Sequence, residues 1–291
     1  MNFLRSLAVL AAVISFSGCF DLDDALFNSE KLTSYSLSSN VIPEAQRTQV
    51  VLTSQGKKIY GYFVRSSDPN QKEVVLYNHG NRDHLQFYWD RVEHFYSMGL
   101  NVFIYDYQGY GMSEGEPSEA AIYSDATAAY QYLRTSLGFS DGQISVYGFS
   151  LGGAPSTYLA ANVFTPKRLI LEAAFASATT LTQSGTLLDL PGTFVMEGEY
   201  NNAERIRNNT APVLILHGTD DTFIDLEKNG RVLYNNANDN DPNIPKTFIA
   251  VKGAGHSNVP SVMGIDLYRQ TVKDFILKNK RQLSPPSFLP F

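Results

Sequence analysis

Short runs of consecutive apolar residues recur along the chain and are separated by longer amphipathic stretches. The runs VVLYN (74–78), VFIYDY (102–107) and PVLIL (212–216) are almost wholly apolar, which is typical of strands buried on both faces. The stretches between such runs, including residues 86–98 and 118–137, have the pattern of helices. Alternating strands and helices predict an α/β fold, a mostly parallel sheet with helices on both faces.

The start of the sheet has a different pattern. Two strand candidates, residues 48–54 and 57–65, flank the turn residues Gln55 and Gly56 and predict an antiparallel hairpin. The last part of the chain continues with a helix, a strand and an amphipathic helix, at residues 226–234, 246–251 and 261–280. The whole pattern predicts eight strands in one domain.

Composition suggests how the rest of the chain is organised. Residues 20–40 are rich in Ser, Asp and Asn, so we expect a tether at residues 19–45, or a loosely packed approach, and the folded domain at residues 46–282. Within that domain, residues 178–211 are less regular than their surroundings. The proline-broken stretch at residues 283–291 is expected to be a C-terminal tail.

Residues 1–18 have the form of a signal peptide. One positive charge precedes an apolar run at residues 6–16, which is too short to span a bilayer as a stable helix. The small residues before Cys19 resemble the lipobox of bacterial lipoproteins, which implies a lipidated Cys19, a membrane anchor and a location in the cell envelope. Phe16 departs from the Leu that is usual three places before that cysteine. The alternative is an ordinary secretory leader in which Cys19 is incidental.

The overall composition excludes several classes of protein. A net charge of −6 with 18% charged residues does not suggest a nucleic-acid binder, which would need a basic face. A hydrophobic content of 43% excludes a largely disordered chain. The single cysteine leaves no intramolecular disulfide and no cysteine-based metal cluster. The spacing of His79 and His84 within a loop does not indicate zinc, and no feature calls for a metal ion or an organic cofactor.

The candidate chemistry centres on QISVYGFSLGGA, residues 143–154. Its first half predicts a short buried strand, its glycines predict a tight corner around Ser150, and a helix is expected at residues 154–162. Strand, G-x-S-x-G and helix in that order form the pattern of a nucleophile elbow, in which the serine occupies a strained tip. A glycine-rich turn with no catalytic role can have the same sequence pattern, so the interpretation requires catalytic partners for Ser150.

Those partners must be a histidine that takes the serine proton and an acid that orients the histidine. Three histidines, His79, His217 and His256, follow predicted strands, where the crevice of an open α/β sheet lies. We interpret His79 and His217 as polar caps on the sheet edge, and His256, in the glycine-bracketed loop GAGHSN, as the base. Asp220 and Asp221 both follow the strand PVLILHG, and spacing favours Asp221 only slightly.

Six short blocks stand near the ends of predicted strands: NHGN (78–81), DYQGYGMSEGEPSE (106–119), GFSLGG (148–153), LEAAF (171–175), HGTDD (217–221) and GAGH (253–256). In this order they resemble the α/β-hydrolase superfamily, and in particular its short-lid branch of esterase/lipase-like, serine-aminopeptidase-like and acyl-thioesterase-like proteins. The resemblance covers most of the chain after residue 47 and implies an α/β-hydrolase fold with a short lid at residues 178–211. The family's HG-x-x-D pattern points to Asp221 as the acid.

An oxyanion hole needs two N–H donors. The amide of Leu151, directly after the nucleophile, is one expected donor, and the resemblance implies the amide of Asn81 as the other. Asp106, Tyr107 and Glu172 also stand near the crevice, where a structural role in holding loops is expected. One departure is Gln108, where relatives commonly carry Arg, and it puts in doubt a salt bridge in that loop.

The resemblance implies a two-step transfer of an acyl group from a small-molecule substrate to water. A carboxylic ester or thioester is the first expectation. An aminopeptidase or amidase would use the same triad, and an acyltransferase would differ only by excluding water. Outside the enzymes, the chain could be a lipid-anchored binding or scaffold module. Apolar residues of the lid segment that could line an acyl site are Leu181, Leu187, Leu188, Leu190, Phe194 and Val195.

Overall fold

The computed structural model describes residues 26–184 and 198–278. Eight strands of one sheet are, in chain order, β1 (Arg47–Ser54), β2 (Lys57–Val64), β3 (Val74–Asn78), β4 (Asn101–Tyr105), β5 (Ile144–Phe149), β6 (Arg168–Glu172), β7 (Val213–Gly218) and β8 (Lys246–Val251). Their spatial order is β1-β2-β4-β3-β5-β6-β7-β8. Strand β2 is antiparallel to both β1 and β4, and the other neighbouring pairs are parallel. The predicted fold class is confirmed.

The hairpin between β1 and β2 has the predicted two-residue turn. Ser54 is paired with Lys57 across the turn. Gln55 and Gly56 both have positive φ, 49° and 77°, which is the backbone twist that joins two strands through so short a loop.

Helices cover both faces of the sheet. In chain order they are α1 (Trp89–Ser97), α2 (Glu119–Gln131), α3 (Gly153–Asn162), α4 (Ala178–Ser184), α5 (Asn202–Arg205), α6 (Gly230–Asn236), α7 (Val259–Met263) and α8 (Ile265–Leu277). One apolar core contains Ile122 of α2 and Leu159 of α3, and a second core contains Phe95 of α1 and Val272 of α8. Strands β3 to β7 lie between these cores and are buried at every position, as their continuous apolar runs predict.

Three predicted helices differ from the structure, and the one predicted at residues 226–234 begins only at Gly230, as α6. The helix predicted at residues 261–280 is broken at Gly264, whose φ of 90° separates α7 from α8. A helical residue needs negative φ, so the break follows from a backbone conformation that glycine adopts readily. In the stretch predicted as one helix at residues 118–137, α2 ends at Gln131, and a single π turn follows over Tyr132–Ser136.

The described part of the predicted tether, residues 26–45, packs on the domain. Leu26 and Phe27 are each 8% exposed, and Ile42 is fully buried. The two-residue strand Asn28–Ser29 pairs in parallel with Arg82–Asp83. The tether prediction is therefore wrong for these residues. Their apolar side chains are too scattered to give a periodic pattern, but Leu26, Phe27 and Ile42 are buried against the folded domain.

Several predicted features lie outside the described residues. They are the signal peptide and Cys19, the tail at residues 283–291, and most of the lid side chains: Leu187, Leu188, Leu190, Phe194 and Val195. Leu181, on α4, is buried in the core. Over residues 26–184 and 198–278, no helix is both long enough and apolar enough to cross a membrane.

Candidate active site

Ser150 lies at the corner between β5 and α3, in a one-turn 3-10 segment, Ser150–Gly152. Its φ of 53° lies in the left-handed region, which is strained for a residue with a side chain. A Cβ atom at Gly148 would overlap the carbonyl of Gly152 and the hydroxyl of Ser156, and one at Gly152 would overlap the carbonyl of Asn78. The glycines therefore permit the close approach that turns the strand sharply into the helix and leaves Ser150 at the tip.

His256 connects Ser150 to Asp221. His256 Nε2 lies 3.0 Å from Ser150 Oγ, and His256 Nδ1 lies 2.9 Å from Asp221 Oδ2. Asp221 comes from the loop after β7 and His256 from the loop after β8, so the parallel arrangement of these strands delivers both side chains to the same edge of the sheet. The carboxylate of Asp221 is fully buried, whereas the imidazole is 19% exposed. A continuous hydrogen-bonded chain thus runs from a strained serine to a buried carboxylate.

Asp221 is surrounded by donors. Its Oδ1 accepts hydrogen bonds from the backbone N–H groups of Phe223 and Ile224, at 3.0 and 2.8 Å, and His217 Nε2 lies 3.3 Å from its Oδ2. Burial on its own would raise the pKa of Asp221, but the hydrogen bonds from His217 and His256 outweigh burial and hold that pKa below its usual range. The group is a carboxylate at neutral pH, which favours the His256 tautomer that is protonated on Nδ1 and accepts at Nε2.

The structure distinguishes the two acid candidates. Asp220 is exposed, and its carboxylate accepts a hydrogen bond from the hydroxyl of Thr219. Asp221 is the one that contacts His256. His217, interpreted from the sequence as a polar cap at the sheet edge, stands near the end of β7 and lies against Asp221, and its Nε2 is 2.8 Å from the carbonyl of Ile224.

The two expected oxyanion donors lie on segments that meet at the elbow. Leu151 follows Ser150 within the 3-10 turn, and the close approach of Gly152 to Asn78 brings the loop after β3 against that turn. In that loop the carbonyl of Asn81 accepts a hydrogen bond from the Tyr110 hydroxyl at 2.9 Å, while Asn81 Nδ2 donates to the carbonyl of Leu26 at 2.9 Å. These bonds hold Asn81, and His79 Nδ1 lies 2.7 Å from the Gly80 carbonyl, which belongs to the peptide that carries the expected donor.

The chain is 35% identical over 212 residues to alpha/beta hydrolase domain-containing protein 17B of Xenopus tropicalis and to that of Homo sapiens. Each alignment covers 71% of this chain and 68% of the relative. The chain belongs to the α/β-hydrolase superfamily.

Two further comparisons agree with this membership. Residues 69–195 match the family model described as Hydrolase_4, serine aminopeptidase, S33. The esterase Pf2001 of Pyrococcus furiosus superimposes with a TM-score of 0.71 at 17% identity, covering 86% of this chain and 96% of that one. At that identity the likeness shows the fold, and membership of a hydrolase family supports hydrolase activity.

The family loops after β3 and β4 are held together by Asp106. Its Oδ2 accepts a hydrogen bond from the hydroxyl of Tyr35 at 2.5 Å and its Oδ1 accepts one from the backbone of Leu85 at 2.6 Å. His79 Nε2 lies 3.2 Å from the same Oδ1, and the Tyr107 hydroxyl donates to the His79 carbonyl at 2.8 Å. The contacts of Asp106, Tyr107 and His79 are those of residues that hold loops. The contribution of Tyr35, which lies 71 positions before Asp106, was missed from the sequence.

Gln108, the departure from the family pattern, bonds to a buried acid. The backbone N–H and the side-chain amide of Gln108 donate to Asp125, at 2.7 and 3.0 Å. Burial raises the pKa of Asp125, although its hydrogen bonds oppose that shift. A glutamine therefore satisfies both carboxylate oxygens without an ion pair.

In the part of the chain that the structure describes, no three His, Cys, Asp or Glu residues are grouped so that they could hold a metal ion. The histidines at the site bond to carboxylates, a hydroxyl or backbone carbonyls.

Proposed function

We propose that this chain is a serine hydrolase that cleaves carboxylic ester or thioester bonds through an acyl-enzyme on Ser150. The observation that carries the proposal is the hydrogen-bonded chain from Ser150 through His256 to Asp221, with distances of 3.0 and 2.9 Å. A serine hydroxyl is a weak nucleophile unless an adjacent base takes its proton, and His256 Nε2 is within reach of that proton.

In the proposed reaction, Ser150 Oγ attacks the substrate carbonyl carbon while its proton passes to His256 Nε2. The charge that develops on the carbonyl oxygen is stabilised by the backbone N–H groups of Leu151 and Asn81. Collapse of the tetrahedral intermediate expels the alcohol or thiol, which takes the proton from His256. A water molecule then gives a proton to His256 and attacks the acyl carbon. Collapse of this second tetrahedral intermediate breaks the bond to Ser150 Oγ, which takes the proton back from His256 as the carboxylic acid leaves. Asp221 stabilises the imidazolium that forms in each step.

Ester hydrolysis is favoured over amide hydrolysis by one comparison, because the Pyrococcus furiosus protein of the same fold is named an esterase. An aminopeptidase is the second candidate, because the matching family model is described as serine aminopeptidase. Both activities would use the same three side chains, so substrate series must separate them. We expect faster hydrolysis of p-nitrophenyl acyl esters or acyl thioesters than of aminoacyl amides by the same preparation.

A fluorophosphonate probe tests the nucleophile. The probe should label the wild-type protein and fail to label Ser150→Ala. Ser257→Ala is the matched control, since Ser257 stands next to His256 in the chain and is exposed, and it should be labelled like the wild type. Absence of labelling in a folded preparation that hydrolyses esters would refute the proposal.

We also propose that Cys19 carries a lipid and anchors the protein to the bacterial cell envelope. Support comes from the leader at residues 1–18 and from the position of the only cysteine. The full chain expressed in a bacterium should incorporate labelled palmitate and partition into detergent, whereas Cys19→Ser should do neither. Equal labelling of the two proteins would remove this proposal.

A further inference from the structure

A buried arginine lies beside the candidate site and bonds to two of its supporting elements. Arg91, on α1, is 5% exposed. Its Nη2 donates to Glu172 Oε1 at 2.9 Å and to the backbone carbonyl of Ser257 at 3.2 Å. Ser257 directly follows His256, so one guanidinium nitrogen joins the end of β6 to the histidine loop.

The same guanidinium also touches the elbow. Arg91 Cζ lies 4.0 Å from the centre of the Phe149 ring, the residue directly before Ser150. That ring in turn lies 5.3 Å, centre to centre, from the imidazole of His256. A planar guanidinium can stack on an aromatic face and donate hydrogen bonds from its edge at the same time. Arg91 therefore touches the immediate chain neighbours of both Ser150 and His256.

Glu172 holds Arg91 in this position. Its second oxygen, Oε2, accepts hydrogen bonds from Tyr147 of β5 at 2.6 Å and from Tyr268 of α8 at 2.9 Å. Burial raises the pKa of both tyrosines far above the ordinary value, so they remain neutral donors. Burial disfavours the charge on Arg91, but the attraction of Glu172 outweighs that effect and raises the pKa of Arg91. Residues of β5, β6 and α8 thus hold the ion pair beside the histidine loop.

We infer that Arg91 is a positioning residue that sets the distance and angle between Ser150 and His256. A structural pair with no role in the chemistry would need only the Glu172 contact, whereas Arg91 also bonds to the histidine loop and stacks on the elbow. Proton transfer between Ser150 and His256 depends on their hydrogen-bond geometry. A displacement of about 1 Å in such a pair can lower the rate about 100-fold.

The inference rests on the proposed function, and a conservative substitution tests it. Arg91→Lys keeps the charge beside Glu172 but loses the planar group that lies over Phe149. We expect kcat for p-nitrophenyl butyrate, per active site, to fall about 10- to 100-fold with KM little changed. The matched control is Arg168→Lys, since Arg168 is equally buried, bonds to the backbone carbonyls of Phe275 and Lys278, and lies over the Phe275 ring. That control should leave kcat unchanged.

A double-substitution experiment separates positioning from general stability. If Arg91 acts through His256, then Arg91→Lys should have no further effect on the residual rate of a His256→Ala protein. Equal kcat values for Arg91→Lys and Arg168→Lys, or the same fold-loss with and without His256, would overturn the inference. Retention of activity by Ser150→Ala would instead refute the proposed function, so the two failures are distinguishable.

Discussion

The loops after β7 and β8 and the N-terminal segment at residues 26–45 support the candidate site in different ways. The loops supply two side chains, Asp221 and His256, that bond in line with Ser150. The N-terminal segment supplies none of these groups. It contacts the loop after β3 through the carbonyl of Leu26 and the strand pair with Arg82–Asp83, and it is held by buried anchors spread along its length.

Substitutions in these two regions should therefore affect activity and stability differently. Contacts concentrated on a reacting pair are needed for the chemistry, so their loss should lower the rate far more than it lowers the free energy of unfolding. Contacts spread along a docked segment each contribute part of the free energy of unfolding. Their loss should therefore lower stability and leave the activity per folded molecule unchanged. Four substitutions test this separation, two in each region.

The largest effect is expected from His256→Ala. Loss of the base should lower kcat/KM for p-nitrophenyl esters about 10⁴-fold or more, with the midpoint of thermal unfolding nearly unchanged. The control is His94→Ala, because His94 lies on α1 and bonds to Arg269. A His256→Ala protein that keeps most of the wild-type rate would contradict the role assigned to this loop.

Asp221→Asn should follow, with a fall in kcat of about 10⁴-fold, since an amide favours the wrong imidazole tautomer. Asp220→Asn should keep nearly full activity, because the Asp220 carboxylate bonds to the Thr219 hydroxyl in an exposed turn. If Asp220→Asn proves the more damaging in a kinetic comparison, the acid is assigned wrongly.

Asp221→Asn should also change how the free energy of unfolding depends on pH. The folded pKa of Asp221 is lower than its unfolded value, so its contribution to stability is complete above about pH 4 and is lost as the pH falls below that value. In Asp221→Asn this contribution is absent at every pH. Urea unfolding between pH 7 and pH 3 should therefore show a smaller loss of stability for the variant than for the wild type, and parallel curves would contradict the assigned charge.

Ile42→Ala is the strongest test of the N-terminal segment. Ile42 is fully buried in the same core as Phe95 of α1, and removal of such a side chain costs about 2–5 kcal/mol of unfolding free energy. Exposed Val41 provides the control through Val41→Ala, which should cost little. Urea denaturation measures both, and a neutral Ile42→Ala would restore the tether interpretation. Activity per folded molecule should be unchanged.

Tyr35→Phe should have the smallest effect. It removes the hydrogen bond to the buried carboxylate of Asp106, which is worth about 1.5–3 kcal/mol, and the longer one that the hydroxyl accepts from the backbone N–H of Met112 at 3.2 Å. Tyr130→Phe removes a comparable bond to Asp141, whose side chain is 43% exposed, and should cost less. Thermal unfolding compares the two variants. An equal loss of stability would show that the buried Tyr35 contact contributes no more than the exposed Tyr130 contact.

Much of the site could be predicted from the sequence because its parts have fixed local spacing. A buried strand followed by a short turn of defined composition occurs at the Ser150 corner, the HG-x-x-D loop and GAGH. The local sequence therefore predicts the local backbone geometry. The packing of Ile42 and the helix break at Gly264 carry no such pattern. An isolated apolar residue gives no period, and the amphipathic pattern continues across Gly264.

The contacts that were missed join residues far apart in the chain. Arg91 and Glu172 are separated by 81 positions, and Tyr35 and Asp106 by 71. Neither Arg91 nor Tyr35 belongs to a motif, and each appears on its own as an ordinary helix or loop residue. Their partners could be placed near the crevice from the strand ends, but only the folded chain shows which side chains reach them.

The most direct test of the central claim is to trap the acyl-enzyme. The full chain is mixed with excess p-nitrophenyl butyrate, quenched in acid within milliseconds, digested and examined by mass spectrometry. A butyryl group on the peptide that contains Ser150, absent from Ser150→Ala, is the predicted result. A preparation that turns over the ester while the butyryl group is found on another residue, or on none, would contradict the account.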